Sequence, residues 1–137
     1  MKAYTDISQS RRLAEILPLE SADMYWDYDV QKHEDYPMVM DEQFDDTCIR
    51  AWSLAALLNI LPVSIYDNTD EYSQLEFSKI SVAYHDINDG IKVGSIKDNL
   101  VDACYELILK LHKLNLLKEL TIGQKAKAYK EAPKSLV

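Results

Sequence analysis

The sequence predicts an α+β fold in which a small antiparallel sheet of about three strands packs with two or three main helices. Apolar residues recur at intervals of three and four over residues 99–117, which places them on one face of a helix. Over residues 74–85 apolar and polar residues alternate instead, as they do in a half-buried strand. Asn88-Asp89-Gly90 then forms a strong turn signal for a hairpin.

The first predicted helix begins at Ser8 or Ser10 and is stopped by Pro18, because proline cannot continue a helix. Residues 19–46 follow as a long ordered loop that can contain a short strand or a helical turn. Ten acidic side chains in this loop stand against one cation, Lys32, and aromatic side chains are interleaved with them. The loop therefore carries too many aromatic residues for a purely solvated linker.

A second helix is predicted over residues 47–61, capped by Asp46 or Thr47 and ended by Pro62. Apolar side chains cover nearly the whole circumference of this segment, and a helix of that kind is buried on several sides. We therefore expect it to be the central helix of the core.

Beyond the second helix the apolar period changes to that of strands. Val63 and Ile65 alternate with polar neighbours. Over residues 74–85 the alternation slips in phase near Ser78 and Lys79, which predicts a β-bulge at that point.

The third predicted helix has a capping residue at its start and a pair of opposite charges on its exposed side. Asn99 can cap its first turn, and Glu106 stands four residues before Lys110, the favourable order for an exposed ion pair. We expect one globular α+β domain over residues 1–117, followed by a Lys-rich C-terminal extension over residues 118–137 that is either helical or partly disordered.

Charge and composition exclude several classes of protein. The 137 residues carry a net charge of −8: residues 1–109 hold 8 Lys and Arg against 21 Asp and Glu, whereas residues 110–137 hold seven Lys against two Glu. An acidic body repels phosphates, so direct nucleic-acid binding is not expected. No apolar run is long enough to cross a membrane, and the first residues lack a signal peptide. With two cysteines outside any paired motif, these features predict a cytoplasmic protein.

No motif predicts a cofactor, a metal ligand or a catalytic residue. The acidic stretch that starts at Asp27 has Lys32 and Met38 where a calcium loop needs Gly and Glu. The three histidines have no partner at the spacing of a zinc site. The three glycines form neither a phosphate-binding loop nor a dinucleotide motif.

The two cysteines have different expected roles. Cys48 stands at the predicted N-terminus of the second helix, where the helix dipole favours a reactive thiolate. The alternative is that Cys48 packs in the core, as free cysteines usually do. Cys104 lies on the apolar face of the third helix and is expected to be a core residue.

The aromatic residues of the acidic loop form a predicted interaction surface. Aromatic and methionine side chains set among polar residues are typical of surfaces that bind proteins. The alternative is that these side chains fold back over the helices as part of the core. The predicted surface consists of Tyr25, Trp26, Tyr28, Tyr36 and Phe44.

Four stretches carry a resemblance to a known family: residues 4–10 (YTDISQS), 13–24 (LAEILPLESADM), 51–62 (AWSLAALLNILP) and 101–112 (VDACYELILKLH). In these stretches the chain resembles an uncharacterised family of small acidic proteins from gut bacteria, their phages and mobile elements. The resemblance implies a bacterial or phage cytosolic origin, and it assigns no activity, ligand or catalytic residue.

The function predicted from these observations is non-enzymatic contact with an unknown protein partner or with a second copy of the chain, as in a homodimer. A sharper form of this hypothesis is an acidic mimic of nucleic acid, encoded by a mobile element. The rival hypothesis is a small ligand-binding or metal-binding domain or enzyme, in which Cys48, His33 or His85 surrounds a cleft with carboxylates of residues 20–46.

Overall fold

The computed structural model of the chain contains helices and antiparallel sheets, which confirms the predicted α+β class. Its described strands form two sheets, one of three strands and one of four, rather than a single sheet of three. The residues that the structure describes are 2–27, 36–66, 72–86 and 90–117.

The chain divides into two compact units, Met1–Ile60 and Leu61–Val137, each of which is described by itself. The single domain predicted over residues 1–117 stays a prediction. The predicted Lys-rich extension over residues 118–137 lies outside the described residues.

The first unit combines two helices with the three-stranded sheet. Its strands follow the order β2-β1-β3, and both pairs are antiparallel. Helix α1 packs against β3. The elements are α1 (Ile7–Ala14), a 3₁₀ turn (Leu19–Ser21), β1 (Met24–Trp26), β2 (Met38–Val39), β3 (Ile49–Ala51) and α2 (Leu54–Ile60).

Helix α1 is capped by Asp6, two residues before Ser8 and four residues before Ser10. The Asp6 carboxylate accepts a hydrogen bond from the Gln9 amide, and the Gln9 side chain accepts one from the Asp6 amide. This reciprocal pair is a capping box, which satisfies two backbone donors at the helix start. Ser10, one of the two predicted caps, is buried instead.

The prediction of a second helix over residues 47–61 is wrong in its first half. Ile49–Ala51 forms β3, which pairs with β1 in the register Met24↔Ala51 and Trp26↔Ile49. The helix begins only after Ser53, whose hydroxyl accepts a hydrogen bond from the Ala56 amide at 3.1 Å. Pairing with a strand about 25 residues away therefore overrides the local helical pattern.

A buried polar network joins the N-terminal segment to β3 and its continuation. Thr5 is fully buried, and its hydroxyl accepts a hydrogen bond from the Trp52 amide at 3.1 Å while contacting the Ser10 hydroxyl at 2.8 Å. The Thr5 amide donates to the Trp52 carbonyl at 2.9 Å, and the Thr5 carbonyl accepts from the Trp26 indole at 3.2 Å. One threonine thus satisfies polar groups from α1, β1 and Trp52.

The second unit is a four-stranded antiparallel sheet with a long helix. Its strands follow the order β4-β5-β6-β7, so each is adjacent to its neighbour along the chain. Helix α3 packs against β6 and β7. The elements are β4 (Ser64–Tyr66), β5 (Tyr72–Phe77), β6 (Ser81–Asp86), β7 (Gly90–Ile96) and α3 (Leu100–Lys113).

The break in apolar alternation near Ser78 and Lys79 is caused by a tight turn. The prediction of a β-bulge at this point is wrong. The Ser78 amide donates to the Ser81 carbonyl at 2.8 Å, and the two serine hydroxyls are 2.6 Å apart. Residues 74–85 therefore contain a hairpin, since a turn at this point joins β5 to β6. The predicted hairpin after it is confirmed by the pairing of β6 with β7, which begins at Gly90 with a φ of 76°.

Helix α3 confirms the predicted cap, and it covers one face of the sheet. The Asn99 side chain accepts a hydrogen bond from the Asp102 amide at 2.8 Å. Val82 and Tyr84 alternate on β6 and are both fully buried, as expected for the face that meets α3. Cys104 is fully buried on α3, and this burial raises the pKa of its thiol to about 12.

The end of α3 is a Schellman motif with asparagine in the left-handed position. The Leu116 amide donates to the Leu111 carbonyl, and the Asn115 amide donates to the His112 carbonyl. Asn115 has a φ of 61°, a conformation that costs an L-residue energy and costs glycine almost none.

We expect Asn115→Gly to raise the free energy of unfolding by about 0.5–1 kcal/mol, because glycine adopts this conformation without strain. Chemical denaturation measures the change, and Asn115→Ala is the matched control that should lower stability. A glycine variant less stable than the alanine variant would contradict this view of the cap.

Candidate functional site

The structure places the first residue of the predicted interaction surface inside the first unit. Tyr25 is 2% exposed, and its hydroxyl donates a hydrogen bond to the Asp41 carboxylate at 2.7 Å. This hydrogen bond is the main cause that raises the pKa of Tyr25 to about 12. The ring of Phe44 meets Tyr25 edge-on at 5.5 Å, and the guanidinium of Arg50 lies 4.6 Å from the centre of the Phe44 ring.

The other members of the predicted surface are divided between core and solvent. Trp26 is 7% exposed and packs edge-on against Tyr4. Tyr36 is about half exposed, and Tyr28 lies outside the described residues. Tyr25 and Trp26 therefore follow the alternative expectation, in which the aromatic side chains fold back as core.

Cys48 does not stand at a helix N-terminus, so the argument for a thiolate activated by a helix dipole is wrong. It precedes β3, in a turn where the Asp45 carboxylate accepts hydrogen bonds from the amide and hydroxyl of Thr47. The Cys48 thiol itself lies 3.7 Å from the same carboxylate oxygen. These hydrogen bonds lower the pKa of Asp45, and the turn they build is a local structural device.

The face of the second sheet opposite α3, hereafter the outer face, exposes apolar side chains. Pairing of β6 with β7 sets Ala83 against Gly94, His85 against Ile91 and Ser81 against Ile96, all on this face. Ile91 is 60% exposed and Ile96 is 71% exposed. Phe77 and Ile80, at the β5–β6 turn, are also exposed, although Phe77 pairs with Val82 and therefore belongs to the face that meets α3.

Three of these four apolar side chains line a shallow cleft of about 550 Å³. Phe77, Ile91 and Ile96 supply apolar lining, and the Ser78–Ser81 hydroxyl pair supplies polar lining. Its volume lies within the range of small-molecule sites, roughly 300–1,000 Å³, but such sites enclose most of their ligand. The cleft is open on the sheet surface, which suits contact with a larger molecule better.

Charged groups of both signs lie around the cleft. His85 and Glu76 form a pair with 3.5 Å between Nε2 and Oε2, and both side chains are well exposed. Lys97, Glu106 and Lys110 line its side next to β7. The pair is ionic only when His85 is protonated, and an exposed pair of this kind then contributes at most about 1 kcal/mol to stability.

A β-bulge in β7 explains why the alternation of apolar residues in the sequence does not predict this surface. Ile91 and Ile96 are five residues apart, and a regular strand would place them on opposite faces. Tyr84 pairs with Val93 and His85 pairs with Ile91, so Lys92 is an extra residue that shifts the phase. This shift brings both isoleucines to the outer face.

The cleft brings together few of the residues of the rival hypothesis. It contains His85, whereas Cys48 is absent from its lining and His33 lies outside the described residues. Across the described ranges, no group of three or more His, Cys, Asp or Glu side chains is arranged to hold a metal ion. No helix among the described residues is both long and apolar enough to cross a membrane.

Comparison of this chain with protein-family models, with curated proteins and with solved structures gives no match.

Proposed function

We propose that this chain is a non-enzymatic protein-interaction module and that its contact surface is the outer face of the second unit. The observation that carries the proposal is the exposure of Ile91 and Ile96 beside the cleft. Single exposed apolar side chains are ordinary, but a group of them with a polar rim is typical of surfaces that bind proteins.

The composition of the outer face supports contact with a protein partner. Its exposed apolar side chains, Ile91 and Ile96, both lie on β7, and charged side chains lie around them. Interfaces usually combine an apolar centre with a polar, solvated rim in this way. The outer face therefore replaces the aromatic loop as the leading contact surface.

The distribution of charge supports a second candidate, the acidic mimic of nucleic acid. The first unit holds 12 Asp and Glu against 5 Lys and Arg, a net charge of −7, whereas the second unit holds 11 against 10, a net charge of −1. Nearly all of the net charge therefore belongs to one unit, as a mimic requires. Binding by such a mimic would weaken steeply with salt, which separates it from binding through an apolar face.

We expect the double variant Ile91→Lys/Ile96→Lys to lose its partner, because two charges would have to be buried in an apolar contact. The measurement is affinity capture of proteins, by the tagged full chain, from cells that express it, with quantitative mass spectrometry. Both side chains point to solvent, so the fold should persist, which far-ultraviolet circular dichroism checks.

Val39→Lys is the matched control, since Val39 is an apolar residue of the first unit with 69% exposure. Capture should survive this change. Loss of the partner with Val39→Lys, and its retention with the double variant, would contradict the outer face as the contact surface and favour the segment that contains Tyr36.

A further inference from the structure

Strand β7 forms an edge of the second sheet. It pairs with β6 on one side, and no other described strand pairs with it. At seven residues it is the longest described strand of the chain. An edge strand presents unpaired amide and carbonyl groups, which makes it a template for an additional strand from another chain.

A lysine side chain covers part of this edge. Lys110 of α3 is exposed, and its ammonium group donates a hydrogen bond to the Gly94 carbonyl at 2.7 Å. Lysine at an edge is a common protection against unwanted pairing. This contact involves a flexible side chain, so an incoming strand can take the Gly94 carbonyl if the ammonium group gains another partner.

The charges beside β7 decide which partner fits. Lys92, Lys97 and Lys110 lie along the strand and its rim, in a chain whose net charge is −8. The acidic groups at the same place are Asp86, which lies 3.8 Å from Lys92, Glu106, and the exposed Asp98, which follows Lys97. A second copy pairing through β7 would bring its own Lys92, Lys97 and Lys110 to the same shared edge, and like charges gathered at one interface are unfavourable. Carboxylates on an incoming strand would instead meet ammonium groups.

We propose that β7 binds an extended segment of a partner protein as a fifth strand, and that this segment alternates apolar with acidic side chains. This inference rests on the proposed function and names the chemistry of the partner. The apolar side chains of the segment cover Ile91 and Ile96, and a carboxylate replaces the Gly94 carbonyl as the partner of Lys110. Lys97 then meets a second carboxylate at the end of the strand.

The test uses the full chain, labelled with ¹⁵N, and two synthetic peptides of seven residues. One peptide alternates valine with glutamate, and the other alternates valine with lysine. Titration followed by amide chemical shifts should show binding of the glutamate peptide, with the largest shifts in β7. Lys97→Glu should weaken that binding about three- to tenfold and should strengthen binding of the lysine peptide.

Arg11→Glu is the control, because Arg11 is an exposed cation of α1 in the first unit and lies on a different element. It should leave both affinities unchanged. Any of four results would overturn the inference. The two peptides could bind equally well, or Lys97→Glu and Arg11→Glu could weaken binding equally. The chemical shifts could change mainly outside the second sheet, or no binding could be found at millimolar peptide. In each of these cases, loss of the captured partner with Ile91→Lys/Ile96→Lys would still support the proposed function, so the two failures are distinguishable.

Discussion

Thr5→Val is expected to lower the free energy of unfolding by about 2–4 kcal/mol, because it removes a buried acceptor without changing side-chain shape. The Thr5 hydroxyl is fully buried and accepts from the Trp52 amide, and it also contacts the Ser10 hydroxyl. In the valine variant the Trp52 amide and the Ser10 hydroxyl both lose the Thr5 hydroxyl as a hydrogen-bond partner, and water cannot replace it in this buried region. Urea denaturation of the full chain, followed by tryptophan fluorescence, measures the loss.

Two controls separate the hydrogen bonds from the packing of Thr5. Thr5→Ser keeps the oxygen and removes one methyl group, so it should cost only about 1 kcal/mol. Ser10→Ala leaves the bond between Thr5 and the Trp52 amide intact, and it should also be milder than Thr5→Val. A valine variant as stable as the original chain would show that the network around Thr5 does not contribute to the fold.

Gly94→Ala is expected to cost about 1–3 kcal/mol, because the added methyl group has no space between β6 and β7. A Cβ atom at position 94 would lie 2.7 Å from the Cβ atom of Ala83 and 3.1 Å from the Val82 carbonyl oxygen. The second of these contacts is with backbone, so it cannot be relieved by rotating a side chain. Denaturation should show the loss of stability.

A double-mutant cycle with Ala83→Gly tests whether this contact is the cause. Removing the Ala83 methyl group relieves the shortest contact, so Gly94→Ala should cost less in the Ala83→Gly background than alone. The relief should be partial, because the Val82 carbonyl remains in place. Equal costs in the two backgrounds would contradict the contact between positions 83 and 94 as the origin.

The third helix could be predicted from sequence because its signals are local. The Asn99 cap, the apolar stripe and the lysines of its last turn all lie within residues 99–117. Helix–sheet packing then follows from the need to bury the stripe. The α+β class and the hairpin before the helix could be predicted for the same reason, since alternation and turn residues report on neighbours in sequence.

The first half of the second helix was predicted wrongly because its structure depends on a partner far away in sequence. Ile49–Ala51 carries an apolar density that suits either a helix or a buried strand, and only its pairing with β1 decides between them. The backbone hydrogen bond from the Ser78 amide to the Ser81 carbonyl, together with the pairing of β5 with β6, distinguishes a turn from a bulge. The phase slip alone does not make that distinction.

The proposed contact surface could not be predicted from the sequence for two physical reasons. Aromatic residues beside acidic ones indicate an exposed patch equally well as a buried ring with a polar partner, and Tyr25 bonded to Asp41 is the second case. The outer face, in turn, depends on the extra residue Lys92, which changes the phase of β7. Sequence alternation alone would assign Ile91 and Ile96 to opposite faces.

Site-specific photo-crosslinking would test the outer face most directly as the contact surface of this protein. A photo-reactive amino acid is introduced in place of Ile96 in one variant and in place of Val39 in another, both of which are exposed. We predict that irradiation in cells links the chain to a second protein from position 96 and not from position 39. Crosslinks from position 39 alone would contradict this account.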